Sequence, residues 1–300
     1  MKKKFSIYGN CQALPIAQII MNHPKFSVQF EYVSFDKPVF MLGNNDIESV
    51  HKIVADVDVF IHQDISEIFS PELSSAHLRS LTKDSCICIS IPSLYFTGYY
   101  PETTYLRNTP KALNRFSEYH DLNILLYHLG ISENPINGYE AEDLYDPQLI
   151  IDNADDSIAE LQHREKQLDT KSSEFIAENW KDDILFHSFN HPSRKVLLHI
   201  INQIISILEI DNETIPGAYE HLGETRLPIY KSVRTILRKN PEFLKISGTK
   251  MSFSEYIIKR EGIYNTISED IIRASLHLLS NSGTAFQKHM INKSIGNKFI

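Results

Sequence analysis

Along the first hundred residues, short continuous apolar runs alternate with stretches in which apolar positions recur every three or four residues. Continuous runs bounded by turn residues read as buried strands, and the 3.6-residue period reads as helix. Phe5–Tyr8 predicts a first strand. Leu14–Met21 predicts a helix, with Leu14, Ala17 and Met21 at helical spacing and Ile16, Ile19 and Ile20 widening its apolar face. Ser27–Ser34 alternates through Val28, Phe30 and Tyr32 and predicts a second strand. Asp46–Ala55 predicts a helix capped by Asp46, Val57–His62 a third strand, Glu72–Leu81 a helix and Ser85–Ser90 a fourth strand. Strands separated by helices imply βαβ units, hence an α/β fold with a mostly parallel sheet covered on both faces. Ligands of such sheets collect beyond the carboxyl ends of the strands. Cys11, Gln63, Asp64 and the segment after Ile91 all fall at that edge.

After Pro101 the pattern turns helical. Leu113–Leu129 predicts a helix, and Asp156–Leu168 a charged one whose Glu160, His163, Arg164, Glu165 and Lys166 read as a solvated face. Ile184–Phe186 reads as a short buried strand. Ser193–Leu208, starting after Pro192, carries Val196, Leu197, Leu198, Ile200, Ile201, Ile204, Ile205 and Leu208, a helix apolar enough to be enclosed. From Asp211 onward the pattern is mainly helical, through Ile229–Lys239, Ser254–Glu261 and Glu269–Leu279. These readings divide the chain softly into an α/β domain over 1–212 and a helical C-terminal region over 213–300.

Composition narrows the function classes. A net charge of −8 and a pI near 5.9 argue against broad electrostatic binding of nucleic acid. Three cysteines, an odd number, argue for a reducing compartment, so we expect a cytoplasmic protein. Lys2-Lys3-Lys4 precedes an apolar run that breaks at Gly9, too early for a signal-peptide core, and no stretch is long enough to span a bilayer. No phosphate-binding glycine loop is present. Cys86 and Cys88 share a strand face without further ligands nearby, and His62, His120, His128 and His163 lack metal-ligand spacing, so no metal is expected.

The residues that carry chemistry begin with Gly9-Asn10-Cys11-Gln12, between the first strand and the first helix. Glycine suits a sharp turn, Asn10 can bond exposed backbone, and helix N–H groups favour a thiolate. Pro15 is tolerated only in the first helical turn, so the helix begins near Gln12 and Cys11 lies on its lip. A lone cysteine is, against this, often a small core residue. Phe186-His187-Ser188-Phe189-Asn190-His191-Pro192 precedes the apolar helix and offers a histidine, the natural partner of a cysteine nucleophile. Pro92–Pro101 is rich in aromatics, with Tyr95, Phe96, Tyr99 and Tyr100 around Gly98, which either stack on a ligand ring or pack over the core. Lys231, Arg234 and Arg238 recur at helical spacing and Arg194 starts the apolar helix; a basic face of this kind either meets phosphate or is solvated.

In their order along the chain, Gly-Asn-Cys-Gln, His62-Gln63-Asp64, Ile91–Pro101, Asn190-His191-Pro192 and Leu227-Pro228-Ile229-Tyr230 resemble the WcbI-like polysaccharide biosynthesis family over roughly residues 4–235. The resemblance implies a three-layer α/β/α fold related to the SGNH/GDSL hydrolases. It also implies capsular or surface polysaccharide biosynthesis, with coenzyme A bound and acetyl transferred from acetyl-CoA to a sugar hydroxyl. By this resemblance Cys11 stands where that superfamily has serine and His191 matches its late histidine. The acid three positions earlier is replaced by Ser188, so Asp64 becomes a candidate to orient His191. We expect Cys11, His191, Asn10, Gln12 and Asp64 at the catalytic centre, with an oxyanion hole from N–H groups around Cys11 and Gln12 and the amides of Asn10 or Gln63. Gly9, Gln63, Ser93, Tyr95, Gly98, Tyr99, His187, Asn190 and Arg194 are expected against coenzyme A. Covalent transfer through acetyl-cysteine and direct transfer to the sugar are both compatible with these residues. So are a Cys–His esterase or thioesterase and a non-catalytic coenzyme A-binding scaffold. The expected partners are a thioester and a saccharide, not nucleic acid, and a homo-oligomer is compatible.

Overall fold

The computed structural model describes residues 2–106, 119–240 and 244–295. Its elements begin with β1 (Lys3–Tyr8), α1 (Ala13–Ile20), α2 (Pro24–Gln29), β2 (Phe30–Tyr32), α3 (Ile47–Asp56), β3 (Val59–Gln63), α4 (Ser75–Ser80) and β4 (Ile87–Ile91). There follow β5 (Thr103–Thr104), β6 (His120–Asp121), α5 (Leu122–His128), α6 (Pro135–Tyr139), α7 (Pro147–Arg164) and α8 (Ser173–Asn179). The chain ends through β7 (Phe186–Ser188), β8 (His191–Pro192), α9 (Arg194–Ile207), α10 (Lys231–Arg234), β9 (Lys245–Ile246), β10 (Thr249–Lys250), α11 (Phe253–Tyr264), α12 (Glu269–Ser282) and α13 (Ala285–Ile295). Two compact units interleave in sequence: Met1–Tyr95, Ile158–Glu178 and His191–Leu222 form the first, and Phe96–Ser157, Asn179–Asn190 and Gly223–Ile300 the second. They do not follow a single cut near residue 212, since residues 96–157 go with the C-terminal helices.

The first unit is built on a parallel sheet of order β2-β1-β3-β4. The chain leaves β1 for one neighbour and returns to the other, so the carboxyl ends of β1 and β3 form a topological switch point, where open sheets take their ligands. Alternation divides the strands into two apolar faces, as burial on both sides requires. Tyr8 and Phe60 join Val50 and Val54 of α3 and Leu78 of α4 in one core, with Cys86 and Cys88 half-buried against it. Phe5, Ile7, Ile61 and Ile89 point the other way and are buried. Helix α1 packs on β1 and on α9, whose apolar stripe from Val196 to Ile205 is enclosed as its composition demands.

In the second unit α5 packs on α6 and α11, α11 on α6, and α12 on α13. Phe96, Tyr99, Trp180 and Phe186 form an aromatic cluster there, with ring centroids 5.1–5.7 Å from that of Phe96. Tyr139 stacks on Phe253 at 3.9 Å.

Several elements depart from the sequence reading. Ser27–Ser34 opens as helix, because His23 caps the Phe26 N–H and Pro24 sits at the first helical position; β2 begins at Phe30 and Val28 is exposed. In α1, Leu14 is exposed, and Ala13, Ile16, Ala17, Ile19 and Ile20 make the buried face. Asp46 precedes α3 without capping it by its side chain; its carboxylate accepts from the Gly43 N–H and pairs with Lys37. Glu72–Leu81 divides into a 3-10 turn and α4, which Ser74 caps. The helix read over Leu113–Leu129 starts only at Leu122, after β6; its first residues, 113–118, lie outside the described residues. Asp156–Leu168 begins earlier, at Pro147, and ends in a 3-10 turn. Ile229–Lys239 keeps only the four residues of α10 as α-helix.

Candidate active site

The loop that leaves β1 is held by side-chain amides rather than by charges. Asn10 Oδ1 accepts from the Gln12 N–H at 2.9 Å, closing a turn that delivers the chain to α1. The Asn10 N–H donates to Gln63 Oε1 (2.8 Å), and Asn10 Nδ2 to Ser93 Oγ (3.0 Å). Gln63 Nε2 donates to Gln12 Oε1 (3.0 Å) and to the Pro92 carbonyl (3.2 Å). Gln12 Nε2 donates to the Leu94 carbonyl (2.8 Å), and the Leu94 N–H returns to Gln12 Oε1 (3.0 Å). Three loops, following β1, β3 and β4, are thereby locked together at the switch point. Gly9 makes this approach possible: a Cβ there would lie 2.6 Å from Gln63 Oε1.

This network reassigns several expected roles. The Gln12 N–H and both Gln63 amide donors are engaged within the protein, so the oxyanion donors proposed from Gln12 and Gln63 serve as loop locks instead. Cys11 is half-buried at the lip of α1, between the fully buried Gln12 and the half-buried Asn10. Ser93 is exposed beside Asn10, and Tyr95 is half-buried, its hydroxyl pushed up to about 12 by burial. Asp64 is exposed just past β3, and its charge acts on His62. His62 is buried, and that burial holds its imidazole below its ordinary range. At the end of β4, Asp169 accepts from the Ser90 N–H and Oγ at 2.7 Å each; burial raises its carboxyl, but these bonds and the Arg79 charge hold it below the ordinary value.

His191 belongs to the same unit as Cys11 and is 9% exposed at the entry to α9. Arg194, in the first turn of α9, is buried and clamps a loop: its guanidinium donates to the carbonyls of Ile215 (3.3 Å) and Pro216 (3.0 Å), and its N–H to Glu220 (2.7 Å). Expected as a cofactor contact, it is thus committed to holding the residue 215–220 segment.

The other expected contacts fall in the second unit. Asn190 is bonded within it, accepting from Tyr119 (2.8 Å) and Ser188 Oγ (3.0 Å) and donating to Tyr105 (2.8 Å). Ser188, at the position of the missing acid, therefore serves to orient Asn190. His187 is buried, and its carbonyl accepts from the Leu227 N–H. Tyr99 is fully buried, its hydroxyl shared by the carbonyls of Trp180 and Asp183 at 2.6 Å each. Gly98 answers packing, since a Cβ there would meet Phe96 at 2.3 Å. Of the aromatics between Pro92 and Pro101, Phe96, Tyr99 and Tyr100 are core residues, and Tyr95 keeps partial access. The basic run Lys231, Arg234 and Arg238 is paired with Glu142, Glu140 and Asp182.

Sequence reading missed a buried polar group in the second unit. Glu102, Asp121 and Arg260 are each fully buried. Asp121 caps α5 through the N–H groups of Asn123 and Ile124, accepts from the Tyr230 hydroxyl at 3.0 Å, and donates its own N–H to Tyr264. Burial pushes its carboxyl up to about 6, although Tyr230 and Arg260 pull it down; burial and then Asp121 push Glu102 well above the carboxylate range. Tyr230, the last residue of the Leu-Pro-Ile-Tyr motif, was the visible signal for this group. Among the described residues no group of three or more His, Cys, Asp or Glu is placed to hold a metal, and no helix is long and apolar enough to cross a membrane.

The family model for WcbI, a polysaccharide biosynthesis enzyme, matches residues 4–213. A solved structure of WcbI, also described as a polysaccharide biosynthesis enzyme, superposes with a TM-score of 0.86 at 19% identity, covering 98% of this chain and 99% of its own. That structure is described as native protein without a disulfide bond between coenzyme A and one of its cysteines. Among curated proteins, none matches this chain.

Proposed function

Because the chain belongs to the WcbI family of polysaccharide biosynthesis enzymes, we propose that it takes an acyl-coenzyme A at the switch point of its first unit and transfers the acetyl group to a sugar hydroxyl. The observation that carries this reading is the placement of Cys11: half-buried, at the lip of α1, on a loop pinned by Asn10, Gln12 and Gln63. A nucleophile needs such fixed placement, since misplacement by about 1 Å costs on the order of 100-fold in rate. The similar WcbI structure is described by the absence of a disulfide between coenzyme A and one of its cysteines, and that pairing of coenzyme A with a cysteine supports the choice of thioester.

In the proposed chemistry His191 removes the thiol proton of Cys11. The sulfur attacks the thioester carbonyl, the bond to the coenzyme A sulfur breaks, and that thiolate leaves with the proton from His191. His191 then takes the proton of a sugar hydroxyl, whose oxygen attacks acetyl-cysteine and returns the Cys11 thiolate. Ser93 and Tyr95 are the accessible groups beside the pinned loop that would border the substrate. Neutral locks suit this role, because Asn10, Gln12 and Gln63 fix the loop without adding a charge of their own.

The test is a thermal-shift titration of the full chain with coenzyme A and acetyl-CoA, followed by an acetyl-transfer assay on Cys11→Ala. Ligand at about 100 times its Kd adds roughly 2.7 kcal/mol, a shift of several degrees. No shift with either ligand overturns the reading. Undiminished transfer by Cys11→Ala overturns the covalent route alone.

A further inference from the structure

The second unit holds a cavity of about 1230 Å3, and none of the residues of the proposed acyl site lines it. It is larger than the roughly 300–1,000 Å3 of ordinary small-molecule pockets. Its floor is prebuilt. Tyr230 is fully buried with its hydroxyl donated to Asp121, and Tyr145, 6% exposed, accepts a bond from Asn123 Nδ2 at 2.5 Å. A hydroxyl that accepts this bond retains its own proton to donate. Leu144, Leu149 and Met290 supply apolar wall, while Asn137, Asp143 and Gln148 supply short polar side chains around it.

The charge of the lining decides what fits. Glu133, Asp143, Asp146 and Asp152 face the cavity against Lys293 and the titratable His289. Gln148 Nε2 is tied to Asp152 and the Asp146 side chain caps the Gln148 N–H, so these carboxylates are held in place. Such a lining repels phosphates, sulfates and uronates, and it excludes coenzyme A itself. Amides, carboxylates and a phenol above apolar wall suit a ligand with many hydroxyls and no negative charge.

We propose that this cavity is a saccharide site that holds a neutral or amino-sugar segment longer than one ring. The inference rests on the polysaccharide half of the proposed function and is independent of its coenzyme A half. Carboxylates accept from sugar hydroxyls or pair with a sugar ammonium, and Tyr145 donates to a hydroxyl or ring oxygen.

The experiment presents the full chain to an array of immobilised neutral, amino-sugar, uronic-acid and phosphorylated oligosaccharides, with and without coenzyme A. Binding is expected on neutral or amino-sugar glycans, equal in Cys11→Ala. It is expected to fall about tenfold or more in Asp143→Ala, which removes a charge-assisted hydrogen bond, and to vanish in Asn137→Trp, which fills the cavity. Both substituted residues are exposed, so the variants fold. Absence of glycan binding, binding confined to anionic glycans, or binding retained by both cavity variants overturns the inference. Glycan binding without a coenzyme A thermal shift would sustain this site while removing the acyl-transfer reading.

Discussion

Two buried polar groups, one in each unit, are built by opposite means. The first locks its loops with neutral amides, through Asn10, Gln12 and Gln63, where each atom's partner is a hydrogen bond of 2.8–3.2 Å. The second buries ionisable groups: Glu102, Asp121 and Arg260 lie fully out of water among Tyr230, Tyr256 and Tyr264. Neutral locks hold geometry at every pH and add no charge of their own. Buried charges hold geometry only while each has its counterpart, and they make the unit sensitive to protonation.

The largest expected effect therefore lies in the second unit. Arg260→Ala removes the cation whose field acts on Asp121 and which sits 5.1 Å over the Tyr256 ring. Removing one of two opposite charges buried near each other costs up to about 3–5 kcal/mol. Asp121 takes up a proton near pH 6, so this cost should shrink on going from pH 7.5 to pH 5. Urea unfolding at the two values measures it. An equal cost at both would mean that Arg260 acts by packing on Tyr256 alone.

Next in size is Gln63→Leu in the first unit. It strips the acceptor from the Asn10 N–H and the donors from Gln12 Oε1 and Pro92. Orphaned buried partners cost about 1–3 kcal/mol, and here the cost should be the same from pH 5 to pH 8. Gly9→Ala presses its Cβ on the same Gln63 oxygen. The double variant should consequently cost less than the two singles added. Additive costs, or a pH-dependent one, would break the contrast between neutral and charged locks.

The same contrast explains what was readable from sequence. The strands β1, β3 and β4 and the helix α9 were legible because apolar runs of that length have one stable use, burial in a sheet or an enclosed helix. Cys11 was legible because a strand–turn–helix junction has a fixed place at the sheet edge. The roles of Gln12, Gln63 and Arg194 were not. An amide or guanidinium is equally able to bind a ligand or a neighbouring loop, and partners 82 residues apart, as with Gln12 and Leu94, leave no local trace. Glu102 and Asp121 were invisible for a related reason: nothing in their neighbourhood in sequence marks them as buried, and the partners Tyr230 and Arg260 arrive from far along the chain. Val28 misled because its apolar alternation was overruled by a local cap from His23.

A smaller effect sharpens the comparison through pH. His120 is buried against Tyr264, and burial, with the Arg260 charge second, lowers its imidazole to about 3. The unfolded chain takes up this proton below about pH 6.5 while the folded chain does not. Stability is therefore full above that value and declines as pH falls toward 3. Asp121 works in reverse: its folded value near 6 exceeds the unfolded one, so its contribution falls as pH rises from about 4 to 6. Replacing His120 by Gln should flatten the acid side of the stability curve, with the wild-type advantage at pH 7 reduced by about 1–2 kcal/mol at pH 5. A wild-type to variant difference that stays constant from pH 7 to pH 5 would remove His120 as the source.

The smallest expected effect tests whether burial, and not ion pairing as such, separates the two strategies. Arg238 and Asp182 in the second unit make a 2.7 Å pair, shorter than the bonds of the amide locks, but their side chains are 76% and 49% exposed. Exposed pairs exchange water contacts for one another at little net gain and lose rotamer freedom in doing so. The Arg238 backbone is held separately, its N–H donating to the Lys181 carbonyl, and truncating the side chain leaves that bond intact. Arg238→Ala should accordingly leave Tm, the pH profile and coenzyme A binding unchanged. If it lowered Tm as far as Gln63→Leu does, surface charge would be holding the second unit, and the difference between the units could no longer be assigned to where their charges are buried.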